Sequence, residues 1–425
     1  MRIVRFSDYL SAIPQQKHYR LHYRGEKLIS PSSCQCRTLT LFYICNADCT
    51  CTLPLQATIQ FMKTLCIDLR WTDSSGVGTY VKGIMPGIVR LFGDISIVGL
   101  GDRSRLEKFE WSRAANMRLI ECRASHYSLT EQIQLPLAIP SGTDLFFSPY
   151  YPIPLLYRGR LAVTVHDLSH RVVPEIIGDP HKRIYAQTMF RALRKRASII
   201  FTVSDFSKSE LLRLTSGPRD DNIILTPLGI SAEWYGAAQL PPVRSRPYLV
   251  YVGNIKPYKN LGRLVEAFLK IKDSVPHDLV IAGQSEGLIT GESAEFFERV
   301  RGAGERIHLT GFVPSHTLLS LVGHADALIM PSLYEGFGLP PVEAMAAGVP
   351  VAVARTASLP EICGDAALYF DPLNVGDIAE KLTEIISDSQ TRTELRARGL
   401  SRSSLLSWDA CSRTTAEALR AVLAR

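Results

Sequence analysis

The chain of 425 residues has no apolar run near the ~20 residues that a membrane-spanning helix needs. Its start, "MRIVRFSDYLSAIPQQ", has no apolar segment of signal-peptide length either, so the expected location is the cytoplasm. Charge of one sign is scarce as well. The formal net charge is +7, and residues 1–61 carry +4 of it, from seven Lys/Arg against Asp8, Glu26 and Asp48. The remaining +3 excludes a broad nucleic-acid surface while leaving room for local anion sites. Hydrolase and NTPase signatures are missing too: there is no G-x-S-x-G elbow, no H-E-x-x-H helix and no P-loop. No D-x-D stands at a strand end, the acids of "RDDN" (Arg219–Asn222) being neighbours in a loop. Neither a divalent metal nor any other cofactor is therefore expected.

Residues 1–60 lack a sustained period of 2 or 3.6, whereas "MKTLCIDLRW" from Met62 reads as a first β-strand. Residues 1–61 are expected to be a poorly ordered extension. Five of the nine cysteines, Cys34, Cys36, Cys45, Cys49 and Cys51, crowd there beside His18 and His22. Their C-x-C and C-x3-C-x-C spacings do not match paired zinc knuckles, so no metal is expected in this segment.

What is present from Met62 onward is an alternation. Short β-branched runs ("TLCIDLRW", "ISIVGLG", "MRLIEC", "DLFFSP", "LAVTVHDL", "SIIFTVS", "NIILTPLGI") are separated by helical patterns. The proline-rich "QLPPVRSRP" interrupts the pattern, which restarts with "YLVYVGNI", "DLVIAGQ", "RIHLTGFV", "ALIMPS", "PVAVA" and "ALYFD". Strand, helix, strand is the grammar of a parallel sheet, and the length suits two domains. The expected boundaries are 62–240 and 248–404 for two doubly wound α/β domains, 241–247 for a linker and 405–425 for a final helix. Ligands of such sheets bind beyond the carboxyl ends of the strands, which locates each motif.

In "PSLYEGFGLPPVEAMAAGVPV" two carboxylates, Glu335 and Glu343, flank a joint between a strand and a helical pattern. Gly336 and Gly338, with Phe337 and Leu339 between and after them, let the backbone approach a ligand. Pro340 and Pro341 suit a helix start, which places Glu343 in the first turn. Carboxylates accept from sugar or ribose hydroxyls while helix-start amides take phosphate, so the joint fits a hydroxyl-rich, phosphorylated ligand; a plain turn with a favourable first-turn acid is the structural alternative. In "YVGNIKPYKN", Gly253 and Asn254 end a strand and Lys256 and Lys259 follow at a helix opening, where cations oppose the dipole and so suggest a phosphate role. In "RWTDSSGVGTYV" the loop after the first strand holds Gly76 and Gly78, a weak signal made interesting by its place.

"AVTVHDLSH" sets His166 and Asp167 at a strand end, where a structural histidine is as reasonable as a ligand contact. "TVSDFSKSELL" reads as a capped helix start with Ser204 or Ser207 as cap, and Lys208 is a weaker phosphate candidate. "HKRIYAQTMFRALRKRA" gathers Arg191, Arg194, Lys195 and Arg196 on a helix whose Ile184, Tyr185, Phe190 and Leu193 form an apolar stripe. The stripe would face the core and the charges solvent, with peripheral contact to an anionic inner membrane as the alternative.

Taken together, these motifs resemble the retaining GT-B glycosyltransferases of glycosyltransferase family 4, over about residues 62–425. "EGFGLPPVEAMAAGVPV" carries most of the resemblance, while "VGNIKPYKNL" and "VHDLSH" are similar to bacterial mannosyltransferase-like members that build surface polysaccharides. The resemblance implies two Rossmann-like domains facing a cleft, the first on the acceptor side and the second on the nucleotide-sugar side. It implies catalytic roles for Glu335, at hydroxyls of the donor sugar, and for His166, touching the transferred sugar. Glu343 would bind the ribose, Lys259 the diphosphate, and the Gly76–Gly78 loop would lie against the diphosphate or acceptor. The family commonly has an Arg where this chain has Asn254, so Lys256 substitutes or one phosphate contact is absent. Trp408 precedes the last helix, which in this fold crosses back to the first domain. The implied activity moves a hexose, with mannose from GDP-mannose as a candidate, from a nucleotide-diphosphate sugar to a hydroxyl of a growing glycan or lipid-linked acceptor with retention. Front-face attack is the mechanism implied, the leaving diphosphate assisting deprotonation of the acceptor. A GT-B-fold sugar-nucleotide epimerase and a non-catalytic sugar-nucleotide-binding subunit are the alternatives.

Overall fold

The computed structural model of the chain describes residues 38–41, 57–60 and 62–425 apart from 129, 174–179, 218–219 and 285–290. The chain divides into two compact units, Met1–Phe61 and Met62–Arg425. In the first, β1 (Thr38–Leu41) pairs antiparallel with β2 (Ala57–Gln60), Thr38 opposite Gln60 and Leu41 opposite Ala57. Four-residue strands are too short to register as a period in sequence. The cysteine cluster and the expected poor order of the rest of this segment lie outside the described residues.

In the second unit all thirteen apolar runs form strands, in two parallel sheets. The first sheet is built from β3 (Thr64–Asp68), β4 (Ser96–Gly101), β5 (Met117–Glu121), β6 (Leu145–Ser148), β7 (Leu161–Val165), β8 (Ile199–Thr202) and β9 (Ile223–Leu225), in the order β5-β4-β3-β6-β7-β8-β9. The second contains β10 (Tyr248–Val252), β11 (Asp278–Ala282), β12 (Ile307–Gly311), β13 (Ala327–Met330), β14 (Val351–Ala354) and β15 (Leu368–Phe370), in the order β12-β11-β10-β13-β14-β15. Central strands such as β7, β11, β13 and β14 are buried at every position. Continuous Val/Ile/Leu/Ala runs therefore face helices on both sides, as parallel sheets require.

Strand order reverses between β3 and β6 in one sheet and between β10 and β13 in the other. Loops that leave neighbouring strands in opposite directions open a crevice at such switch points. Segments following β3 and β6, and those following β10 and β13, are thus the ones that topology brings to ligand crevices.

Helix Trp408–Ala424 packs on helix Ser75–Leu91 of the first sheet's domain. The space a Cβ would take at Gly83 is filled by the Trp408 ring, and that at Gly87 by Ser412. Arg90 pairs with Asp409 at 2.8 Å, Arg420 with Asp94 at 2.7 Å, and the Arg160 guanidinium donates to the Val422 carbonyl at 2.9 Å. A parallel bridge between Ile230 and Ser407 joins the two segments that pass between the sheets.

Helix Pro180–Arg196 departs from the stripe read in its sequence. Phe190 and Leu193 are buried and Tyr185 half-buried, but Ile184 is exposed. Arg194, expected on the solvated face, is 1% exposed, packed against Gly217 and paired with Asp220 at 2.5 Å. The flank of the helix that carries Arg194 is covered by Gly217 and Asp220.

Candidate active site

The loop leaving β13 is fastened to the turn leaving β10. Asn260, buried and in the left-handed region at φ 59°, donates its amide to the carbonyls of Pro331 (3.0 Å) and Pro372 (2.8 Å). The Leu333 amide donates to the Tyr258 carbonyl at 2.8 Å. From the other side the buried Ser358 hydroxyl lies 3.0 Å from the carbonyls of both Glu335 and Phe337. These bonds hold "YEGFG" as a fixed arch, with Gly338 at φ 96°, a conformation that favours glycine. Gly253, at φ 147°, ends β10, and its carbonyl lies where a Cβ on Gly283 would fall.

Across this arch the Lys259 ammonium meets the Glu335 carboxylate at 2.7 Å, with the side chains only 16% and 13% exposed. Burial alone would lower the lysine's pKa. Glu335, with Tyr258 and Tyr251 beside it, outweighs that effect and holds it well above its ordinary value, so Lys259 remains a cation. Two residues 76 positions apart, read separately as a phosphate contact and a sugar contact, thus form one ion pair on either side of the β10/β13 switch point. Lys259 lies in the short turn Pro257–Lys259, with Lys256 exposed at its cap. The helix begins only at Leu261, so the lysines precede it by a turn and do not lie within it.

Glu343 also sits differently from expectation. Helix Leu339–Ala346 is capped by Gly338, which puts Glu343 in its second turn. There burial pushes its carboxyl up to about 7, against a hydrogen bond from Trp234 that favours the charged form and with Glu233 nearby adding to the rise. Trp234 lies on the turn Ala232–Gln239 that leads from one sheet's domain to the other. Pro340 and Pro341 occupy positions two and three of the helix and carry no N–H. Free donors for an anion are therefore confined to the backbone just before them, at Phe337, Gly338 and Leu339.

The first domain closes against the same arch. A Cβ on Gly336 would stand 2.1 Å from the His166 carbonyl oxygen and 2.7 Å from Asp167 Cβ. The hydroxyls of Ser204 (2.6 Å) and Ser207 (3.1 Å) reach the Gly336 carbonyl, and Ser207 also bonds the His166 carbonyl at 2.8 Å. Ser204 is the cap of helix Asp205–Leu214, its side chain accepting from the Ser207 amide. That helix start offers the amides of Asp205 and Phe206 to the Glu361 carboxylate at 2.8 and 2.9 Å. Phe206 packs edge-on against Tyr334, whose hydroxyl accepts from the Leu168 amide at 3.4 Å.

His166 follows β7. Its Nε2 lies 2.9 Å from the Pro149 carbonyl and must donate there, which leaves Nδ1 as an acceptor. Burial pushes its pKa below the ordinary value, against the opposing effects of Pro149 and Asp167, so the ring is neutral near pH 7. Tyr80 packs edge-on at 4.7 Å between ring centroids. Asp167 accepts from the Ser169 amide at 2.8 Å.

Gly76 and Gly78 fall within the first turn of helix Ser75–Leu91, not in a loop before it. Gly78 is required by packing, since a Cβ would lie 2.5 Å from the Thr72 carbonyl, whereas Gly76 has open space. Sequence reading missed Asn260, Ser358, Glu361 and Tyr334, polar residues that shape the arch without a motif of their own; the one available signal was an asparagine standing directly before the helix that starts at Leu261.

The family described as Glycosyl transferases group 1 matches residues 237–402, the part of the chain that carries Lys259, Glu335 and Glu343. O-antigen chain mannosyltransferase B of Escherichia coli is 34% identical over 271 residues, which span 61% of this chain and 70% of that protein. The chain belongs to the group 1 glycosyl transferases. Within this family, serotype-specific mannosyltransferase WbdA of E. coli is 26% identical over 57% of the chain, which spans only 31% of that longer protein. MMP alpha-(1->4)-mannosyltransferase of Mycolicibacterium hassiacum is 26% identical over 56% of the chain. Among solved structures, HepE of Anabaena in complex with UDP and glucose superposes with a TM-score of 0.66 at 17% identity, covering 85% of this chain and all of that one. WaaG, a glycosyltransferase of lipopolysaccharide biosynthesis, gives 0.66 at 14% identity over 83% of the chain. The fold of this group 1 glycosyltransferase is thus GT-B, two Rossmann-like domains with their switch points toward a common cleft.

Proposed function

We propose that the chain is a retaining hexosyltransferase of glycosyltransferase family 4 that draws on a nucleotide-diphosphate sugar, with GDP-mannose the first donor to test. The observation that carries this reading is the Lys259–Glu335 pair, buried between the β10 and β13 ends beside the Gly336–Gly338 arch and the neutral His166. Mannose is supported by the names of the relatives, and an acceptor hydroxyl on a growing surface glycan or lipid-linked sugar by the O-antigen activity of the first of them.

In this reading the arriving diphosphate shares Lys259 with Glu335, and the amides of Phe337, Gly338 and Leu339 supplement it. Asn254 offers no charge, so Lys256 at the rim is the second cation. As the glycosidic bond breaks, negative charge gathers on the diphosphate, and a fixed ammonium in a water-poor site stabilises it more than it stabilises the ground state. Glu335, released in part from the lysine, accepts from sugar hydroxyls and faces the developing positive carbon. His166, an acceptor at Nδ1, takes a hydroxyl of the same sugar. Glu343 takes the ribose. Among the described residues none serves as a nucleophile in this reading, and front-face attack with the leaving diphosphate as proton acceptor keeps the configuration.

An epimerase would need acid and base groups on both faces of the sugar, and the half-buried, neutral His166 is paired on one side only. Thermal shift of the purified chain against a panel of nucleotide sugars tests the reading. A donor at 100 times its dissociation constant should stabilise by about 2.7 kcal/mol. No shift with any nucleotide sugar or nucleoside diphosphate would sink it.

A further inference from the structure

Helix Asp205–Leu214, in the first sheet's domain, is capped from both domains. A helix leaves the amides of its first turn without partners inside it. Here the Ser207 amide is taken by the Ser204 hydroxyl at 3.0 Å, within the same domain. Those of Asp205 and Phe206 instead donate to the two oxygens of Glu361, from the second sheet's domain, at 2.8 and 2.9 Å. A carboxylate suits such an end, because both bonds are charge-assisted and the partial positive charge of the helix start adds to them. The ring of Phe206 packs on Tyr334 of the second domain beside these bonds, 5.5 Å between centroids.

Among the described residues the Glu361 carboxylate has no partner in its own domain and pairs with no cation. Its backbone, by contrast, is fixed there. The Arg402 guanidinium donates to the carbonyls of Glu361 at 2.6 Å and Ile362 at 2.8 Å. The short helix Leu359–Cys363 that carries Glu361 begins at Ser358, whose hydroxyl holds the Glu335 and Phe337 carbonyls of the arch. Leu359 packs on the arch as well, its Cδ2 lying 2.7 Å from where a Cβ on Gly338 would stand. One helix thus grips the arch at Ser358 and Leu359 and the first domain at Glu361. A charge whose bonds all cross the domain boundary stabilises neither domain alone; it specifies how the two sit together.

We propose that Glu361 is a positioning residue for glycosyl transfer: seated on the amides of Asp205 and Phe206, it sets the first domain against the arch so that an acceptor hydroxyl is held at reacting distance from the sugar beside Glu335. It acts through the start of helix Asp205–Leu214. Ser204 and Ser207, which open that helix, bond the Gly336 carbonyl, and Ser207 also bonds the His166 carbonyl, so a shift at the helix start is passed to both. The proposal rests on the transferase reading, since it gives Glu361 a part in that reaction. Transfer between two bound groups is sensitive to a misplacement of about 1 Å, whereas nucleotide binding, which that reading assigns to the second domain, is not.

Glu361→Ala and Glu361→Gln are compared with the parent, all as full chains. In steady-state transfer, Glu361→Ala should lower kcat by about ten-fold or more, and Glu361→Gln, which keeps one carbonyl oxygen for an amide, should fall between Ala and parent. Calorimetric titration with GDP and with UDP should give both variants the parent's dissociation constants within about two-fold, which also verifies that they are folded. Small-angle X-ray scattering of the ligand-free proteins should give Glu361→Ala a larger radius of gyration than the parent. The proposal is overturned if Glu361→Ala keeps the parental kcat, if its nucleotide dissociation constant rises as much as kcat falls, the mark of a merely structural role, or if its scattering profile coincides with the parent's. Scattering needs no substrate. A parent chain that transfers from no nucleotide sugar therefore fails the transferase reading, and the scattering comparison still decides whether Glu361 sets the domains together.

Discussion

Replacing Gly336 by Ala adds one carbon atom at a tight contact between the two domains. That carbon would stand 2.1 Å from the His166 carbonyl oxygen, where ordinary contacts begin at 3.4 Å, and 2.7 Å from Asp167 Cβ. Neither neighbour is the end of a flexible side chain: one is backbone at the end of β7 and the other a Cβ. The arch or the β7 end must therefore retreat by about 1 Å, the misfit expected of overpacking, costing on the order of 1–3 kcal/mol. A shift of that size also stretches the Ser204 (2.6 Å) and Ser207 (3.1 Å) bonds to the Gly336 carbonyl. Because Glu335 is the preceding residue, its carboxylate moves with the arch. Misplacement by about 1 Å in a positioned site costs up to about 100-fold in rate. Steady-state kinetics with donor and acceptor, alongside a thermal melt, should show kcat reduced by one to two orders of magnitude while the fold survives. A Gly336→Ala enzyme with parental kcat would refute the claim that the two domains meet through this arch in the working enzyme.

Other expectations follow from the same geometry. Lys259→Ala should lower kcat/KM for the donor by roughly one to two orders of magnitude, as loss of a charge-assisted bond of about 1.5–3 kcal/mol implies, and unchanged donor kinetics would remove the phosphate assignment. Glu335→Gln should spare donor binding and cut turnover; weaker binding with normal turnover would reverse the roles of the two glutamates. Glu343, with a carboxyl raised to about 7 from 4.5, contributes stability that is complete below about 4.5 and is lost as pH rises through about 7. Ribose hydroxyls favour its charged form, so donor binding should release a proton at pH values below about 7 and weaken there by up to ten-fold per pH unit. Calorimetry in buffers of different ionisation enthalpy checks this, and Glu343→Gln should abolish the release. A chain begun at Met62 should match the full chain in melting temperature and rate, and activity should survive EDTA. Stoichiometric zinc in the longer form, or a loss restored by magnesium, would contradict these two expectations.

The strands were legible because a parallel sheet covered on both faces leaves runs of Val, Ile and Leu that nothing else in a soluble domain needs. "EGFGLPP" was legible for a related reason: glycines and prolines mark backbone geometry that few other residues adopt. Pairing was not. Nothing local says that Lys259 and Glu335 meet, or that a serine at 204 bonds a carbonyl at 336. Asn260, Ser358 and Glu361 escaped for the same reason, being single polar side chains whose meaning lies in a backbone group brought near by the fold. Arg194 shows the reverse case: a cation in a basic run reads as solvated until Gly217 and Asp220 cover it. The helix start at Leu339 was readable, but counting from the Gly338 cap moves Glu343 beyond the first turn and against Trp234, where burial sets its chemistry more than the helix end does.

The central claim is that Lys259, Glu335 and His166 serve transfer of a hexose from a nucleotide sugar with its configuration kept. Proton NMR of the glycoside formed from GDP-α-mannose, or from whichever nucleotide α-hexose stabilises the chain, tests it most directly. An α-linked product and one nucleoside diphosphate released per bond formed are expected. A β-linked product, or a rearranged nucleotide sugar with no glycoside, would contradict it.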